Sequence, residues 1–279
     1  MRRGYTLIEI IITIAITGVL SVGMFKAFEA ITLRSEKAKI LTTLSIDSQS
    51  ALDQISILLY DRIPISVEGC TLTEGCLPLD ESSDKKILTW YGLASESYKA
   101  GDYSVFVDMN RSNYPTLYTP DTNLSAVLVT EQNKWGDWFR IEDVGLIFSS
   151  SSDQGDKNTY SIENNSLNTI TITNPKPDMN ISEKYSLVDS AYAVARKYDV
   201  ASCAHIPNGL DDNTLLLFYN YRPWSGENYC DDANVSVLAT QVNAFRAQTI
   251  NGTIHLSIDM NHTVRGGNPV RLSKQKVVF

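Results

Sequence analysis

Histidine is scarce in this chain, with three in 279 residues. His205, His255 and His262 sit in no recognisable nucleophile or zinc motif, which removes the usual hydrolase chemistries. Ser225-Gly226 follows Trp224 without the preceding glycine that a nucleophile elbow needs. Long basic runs are also missing, with only short groups such as Lys85-Lys86 and Lys274–Lys276, and the net charge is −8 with a pI near 4.9. Phosphate backbones are held by basic surfaces, so nucleic acid is not expected as a partner. No internal repeat and no EF-hand loop is present. The acidic pairs Asp211-Asp212 and Asp231-Asp232 could contribute to a calcium site, but such pairs more often form solvated turns, and no cofactor is expected.

Charge is missing most conspicuously from Ile10 to Phe25, an apolar run that Lys26 ends. Before it stand a short basic leader, Met1-Arg2-Arg3-Gly4, and the segment Tyr5-Thr6-Leu7-Ile8-Glu9. Glu9 is the anomaly. A charged side chain at membrane depth costs about 2.5–3.5 kcal/mol on insertion scales, so it needs a partner or a function. A secretory signal peptide is the plainer alternative, but its small-residue cleavage site should follow the apolar stretch. Ser21-Val22-Gly23 is a weak candidate for that site, and the helical pattern runs through it.

Gly4-Tyr5-Thr6-Leu7-Ile8-Glu9 followed by an apolar run resembles the prepilin leader of type IV pilins and type II secretion pseudopilins, with tyrosine where phenylalanine is commoner. The resemblance covers about the first 60 residues. It implies cleavage between Gly4 and Tyr5 by a prepilin peptidase, N-methylation of Tyr5, and pairing of Glu9 with the N-terminal amine of a neighbouring subunit. The implied partners are other pilin or pseudopilin subunits, an inner-membrane assembly platform, and membrane lipid before assembly. A looser likeness, in Tyr219-Asn220-Tyr221-Arg222-Pro223-Trp224 and Val242-Asn243-Ala244-Phe245-Arg246, points to the large minor subunits of the J and W type. Minor subunits of the family sit at or near the filament tip.

The expected fold class is α+β, a long N-terminal helix on a β-rich domain. The expected divisions are a leader at 1–4, a membrane half of the helix at 5–28, an amphipathic half at 29–63, and a periplasmic domain at 64–279. Ile31, Ala38, Leu41, Leu44, Ser48, Ala51 or Leu52, Ile55, and Leu58 or Leu59 follow helical spacing. Pro64 disfavours helix in the residue before it, so the helix should end by Ile63. From Tyr5 to Arg62 it would span about 87 Å at the standard rise.

Beyond Pro64 short β-type runs alternate with turn residues. Expected strands are Ile87–Tyr91, Tyr103–Met109, Ala126–Thr130, Trp138–Ile141, Leu146–Ser149 and Thr169–Thr173. Later ones are Tyr192–Arg196, Leu215–Tyr221, Val235–Ala247, Thr253–Met260 and Lys276–Phe279. Val188–Lys197 suits a helix as well, and Ser149 to Asn168 reads as a long exposed loop. Trp135-Gly136-Asp137-Trp138 and the aromatics Tyr219 to Trp224 suit either a cap on the sheet core or a contact patch for partners.

Four cysteines, Cys70, Cys76, Cys203 and Cys230, all follow the apolar run. In an oxidising periplasm they would form two bridges, most simply Cys70–Cys76 and Cys203–Cys230, although four cysteines allow three connectivities. Zinc held through Cys203 and His205 fits no common ligand spacing. Asn-x-Ser/Thr occurs seven times, and Asn110, Asn123, Asn180, Asn234 and Asn261 have aspartate two residues earlier. That extended form resembles the acceptor of bacterial periplasmic oligosaccharyltransferases, so a glycan is expected on one or more of the five. A turn-rich composition also brings Asp and Asn together.

The reading is a non-enzymatic minor pilin or pseudopilin, first single-pass in the inner membrane and then in a filament. The alternative is a single-span membrane-anchored periplasmic ligand-binding protein.

Overall fold

A computed structural model describes residues 6–73, 75–79, 85–149, 159–164, 167–174, 181–264 and 269–279. Helix α1 runs from Leu7 to Tyr60 without a break, and Pro64 opens a short 3₁₀ turn, Pro64–Ser66. The chain divides into two compact units. One holds residues 1–46 with 261–272, and the other holds 47–260 with 273–279.

In the first unit α1 is exposed along its apolar run. In the second, the last part of α1 buries Ala51, Leu52, Ile55 and Leu59, the positions that helical spacing selects. Leu44 and Ser48 extend the buried stripe, whereas Ile31 is 65 % and Leu41 42 % exposed. The helix exit is fixed by backbone bonds to the next strand. Leu93 N donates to Asp61 O and Ile63 N to Tyr91 O, with an antiparallel bridge between Arg62 and Gly92. Asp61 also accepts Ser95 Oγ at 2.9 Å.

The large sheet contains β1 (Glu68–Thr71), β2 (Gly75–Pro78), β3 (Ile87–Leu93), β4 (Thr116–Tyr118), β5 (Gly145–Phe148), β6 (Thr159–Asn164), β7 (Thr169–Ile172), β8 (Tyr185–Arg196), β9 (Leu215–Tyr221) and β10 (Asn234–Ala239). Strand β8 is its spine. One edge pairs with β3, while the other pairs first with β5 through 185–188 and then with β9 through 191–196. The sheet therefore forks at Asp189 and Ser190, where Ser190 Oγ accepts Asn220 N. Strands β11 (Val242–Ile250), β12 (Thr253–His262) and β13 (Val270–Val278) form a second sheet. From β13, Lys276 Nζ reaches Asp53 at 2.5 Å and Lys274 Nζ reaches Gln49 at 3.4 Å, both on α1.

Several expectations are corrected. Ala126–Thr130 lies inside helix α3 (Leu124–Trp135). Its β-branched run suggested a strand, but Asn123 caps the first turn and Leu124, Val127 and Glu131 are buried at helical spacing. Tyr103–Met109 is not a strand, because Val105 has φ of 56° and the segment meets β8's approach only through one bridge, Phe106 to Lys184. Trp138–Ile141 turns into a 3₁₀ segment, Ile141–Asp143, after Phe139 N bonds Gly136 O. Val235–Ala247 is two strands in two sheets, separated at Gln241, which has φ of 63°.

The helical option for Val188–Lys197 is replaced by β8, which starts at Tyr185. The Ser149–Asn168 stretch includes β6, where Tyr160 and Ile162 are buried. Strand β13 begins six residues before the expected Lys276, and β1, β2, β4 and the short helix α2 (Ser95–Ala100) were not anticipated. Both cysteine pairs are joined as the simplest pairing has it, Cys70–Cys76 and Cys203–Cys230.

Candidate functional site

Glu9 lies in the first turn of α1 and is exposed. From Leu7 to Phe28 it is the only acidic residue. Leu7 to Phe25 is 19 residues, about 28 Å of helix against a hydrocarbon core of about 30 Å. The helix is long and apolar enough to cross a membrane.

Sequence reading missed a feature that begins at Glu9. Thr13 Oγ1 donates to Glu9 O at 2.6 Å, Thr17 donates to Thr13 O, and Ser21 Oγ donates to Thr17 O at 2.7 Å. Each hydroxyl is satisfied by its own helix, which suits a segment without water. Glu9, Thr13, Thr17 and Ser21 thus follow one i+4 ridge through an otherwise apolar cylinder. The signal was legible as a spacing of four. Gly18 and Gly23 lie in the same apolar segment, and a Cβ at either would meet nothing within 4 Å. Small residues of this kind let a second helix approach closely.

Gly4 and Tyr5 lie outside the described residues, as does Asn180. Asn123 uses its side-chain oxygen to cap α3, accepting Ser125 N at 3.1 Å and Ala126 N at 3.2 Å. Asn110 and Asn234 are exposed, and Asn261 is half-buried on β12. Asp212 pairs with Lys197 at 3.2 Å, while Asp231 and Asp232 both bond Asn228. Glu68, Cys70 and Cys76 lie together, but both sulfurs are in a disulfide and cannot serve as thiolate ligands. The bridge Cys203–Cys230 likewise removes the thiolate that a zinc site with His205 would need.

The aromatics divide. Trp224 is 3 % exposed, meets Tyr91 edge-on and donates from Nε1 to Asp143 O at 3.3 Å. Tyr221 is also core, whereas Trp138 is 51 % exposed with the Arg222 guanidinium 5.4 Å over its ring.

A second polar cluster sits at the fork of the sheet. Asp189 pairs with Lys134 and accepts Trp135 Nε1 at 3.3 Å, while Glu131 accepts Ser97 Oγ at 2.6 Å. Glu131 and Asp189 are both fully buried, and Glu131 Oε2 and Asp189 Oδ1 have no hydrogen-bond partner among the described residues. Burial first, and then the Asp189 charge, pushes the Glu131 carboxyl up to about 7. The arrangement is suited to holding one proton inside the domain.

A family model described as the prokaryotic N-terminal methylation motif matches residues 1–25. No curated protein and no solved structure matches the chain. The motif and the apolar helix together support a protein of the pilin or pseudopilin type.

Proposed function

We propose that this chain is a large minor pilin or pseudopilin that is cut between Gly4 and Tyr5, methylated on Tyr5, and drawn from the inner membrane into a filament. The observation that carries the reading is the methylation motif over residues 1–25, placed at the head of an unbroken helix whose first turn holds Glu9. Before assembly the residues around 5–28 anchor the chain, with the β-rich domain in the periplasm. The two disulfides suit that oxidising compartment.

Once cleaved, the new α-amine of one subunit supplies the cation that Glu9 of another lacks. A carboxylate in hydrocarbon is tolerable when paired, and removing one partner of a buried pair costs about 3–5 kcal/mol. Assembly is then guided by charge and held by apolar helix packing. The size of the domain favours a minor subunit at or near the tip over the bulk component.

The test is Glu9→Ala in the native host, read as filament incorporation against membrane insertion. Insertion stays normal and incorporation falls by about tenfold or more, because each 1.4 kcal/mol is a factor of ten. Unchanged incorporation would remove Glu9 from docking.

A further inference from the structure

We propose that Asn234 is an N-glycan acceptor for an acid-requiring oligosaccharyltransferase; this rests on the periplasmic placement of the domain. With 32 acidic residues in 279, chance puts an acid two residues before about one of seven Asn-x-Ser/Thr sites, and five have one. All five acids are aspartate. Asp-Met-Asn opens three of them, at 108–110, 178–180 and 259–261, and so uses three of the five methionines. The recurrence is of a local string, beyond what abundant Asp and Asn supply.

The structure ranks the described sites. At Asn110 the string is folded on itself. Asp108 Oδ1 accepts Asn110 N at 3.0 Å, and Ser112 Oγ donates to Asp108 O at 2.7 Å while accepting Tyr118 N at 2.9 Å. The Asn123 carboxamide is committed to the cap of α3. Asn261 is half-buried, and Asp259 is held by Arg246 at 2.8 Å.

Asn234 differs from these. Asp232, Asn234 and Ser236 are all exposed, while Ala233 is buried and Val235 half-buried between them. Asn234 and Ser236 stand two apart on β10, so amide and hydroxyl share one side, and Asp232 lies in the turn that leads into the strand. Among the described residues β10 pairs only with β9, so one of its edges is open and the string can be drawn off the sheet. Asp232 spends one oxygen on Asn228 N, at 2.9 Å.

The chemistry balances with a lipid pyrophosphate-linked oligosaccharide as donor. Asn234 Nδ2 bonds to the anomeric carbon, the bond from that carbon to the pyrophosphate oxygen breaks, and the lipid pyrophosphate leaves. The amide proton passes to a base of the transferase. The product is a bulky, solubilising group on an edge strand.

The test expresses the full chain in a bacterium with or without an acid-requiring periplasmic oligosaccharyltransferase and its donor lipid, beside a carrier protein with a known acceptor string. The peptide bearing Asn234 gains the glycan mass only with the transferase. Occupancy falls at least tenfold in Asp232→Ala, disappears in Asn234→Gln, and persists in Asp232→Glu. An unmodified Asn234 in cells where the carrier is glycosylated and Cys203–Cys230 is oxidised overturns the proposal. Full occupancy in Asp232→Ala overturns the role of the acid. Reduced cysteines would show that the domain never reached the periplasm, and both readings would fall together.

Discussion

At Gly145 a Cβ would lie 2.7 Å from Trp224 Cδ2 and 2.9 Å from Cε2, so the indole rests on bare backbone. Gly145→Ala forces that ring off its packing and its bond to Asp143 O, at about 1–3 kcal/mol. Denaturant unfolding of the full chain in detergent should show that loss, and an unchanged midpoint would mean the ring has room to move. Glu131 makes a residue-scale prediction of opposite character. Its folded pKa of about 7 exceeds the ordinary value of 4.5, so the native state holds the proton more tightly. The contribution of Glu131 to stability is then fully present below about pH 4.5 and is lost as pH rises through about 7, by on the order of 3 kcal/mol. Glu131→Gln keeps the oxygen that Ser97 bonds and removes the titration. Melting at pH 5 and pH 8 should differ less in the variant than in the wild type, and equal differences would contradict the burial account. In sequence, Glu9 was legible because a lone carboxylate in an apolar run has few innocent explanations. Glu131 was not, since a glutamate between Thr130 and Gln132, just past a run expected as a strand, carries no sign of burial until the fork of the sheet closes over it.

Among the elements, α1 shows what periodicity can and cannot give. The stripe through Ala51, Leu52, Ile55 and Leu59 is buried as spacing required, yet Ile31 and Leu41 carry the same spacing and stay exposed. Spacing names a face, and only the domain decides how far along the helix that face is covered. Ile55→Ala should cost about 2–5 kcal/mol, because it empties a fully buried site. Ile57→Ala, at a position 71 % exposed, should stay within about 0.5 kcal/mol. Equal effects at the two positions would mean the helix does not pack through this stripe. Strands bounded by clear turns, such as Leu215–Tyr221, were legible. The failures came where β-branched runs outweighed caps, as at Asn123 and α3, or where one left-handed residue redirected the chain, as at Val105 and Gln241. Neither Val nor Gln announces such a backbone angle, so those breaks are tertiary in origin.

For the whole molecule, an exposed apolar helix and a disulfide-linked β-rich domain suit the two settings that the proposed function requires, lipid first and neighbouring subunits later. The bridge Cys203–Cys230 spans 27 residues, and the loop-closure relation gives it about 3.6 kcal/mol, against about 2.2 for Cys70–Cys76 across 6. Replacing Cys203 and Cys230 by alanine should therefore lower the unfolding midpoint more than replacing Cys70 and Cys76, and the reverse order would point to burial of Cys70 as the larger effect. The overall class was legible because leader, glycine, glutamate and apolar run coincide at one end. The central claim is that this end is processed for assembly, and mass spectrometry of the N-terminal peptide from the native host tests it most directly. The account predicts a peptide that begins at Tyr5 and carries one methyl group on its α-amine. A peptide that retains Met1, or one that begins beyond the apolar run, would contradict it.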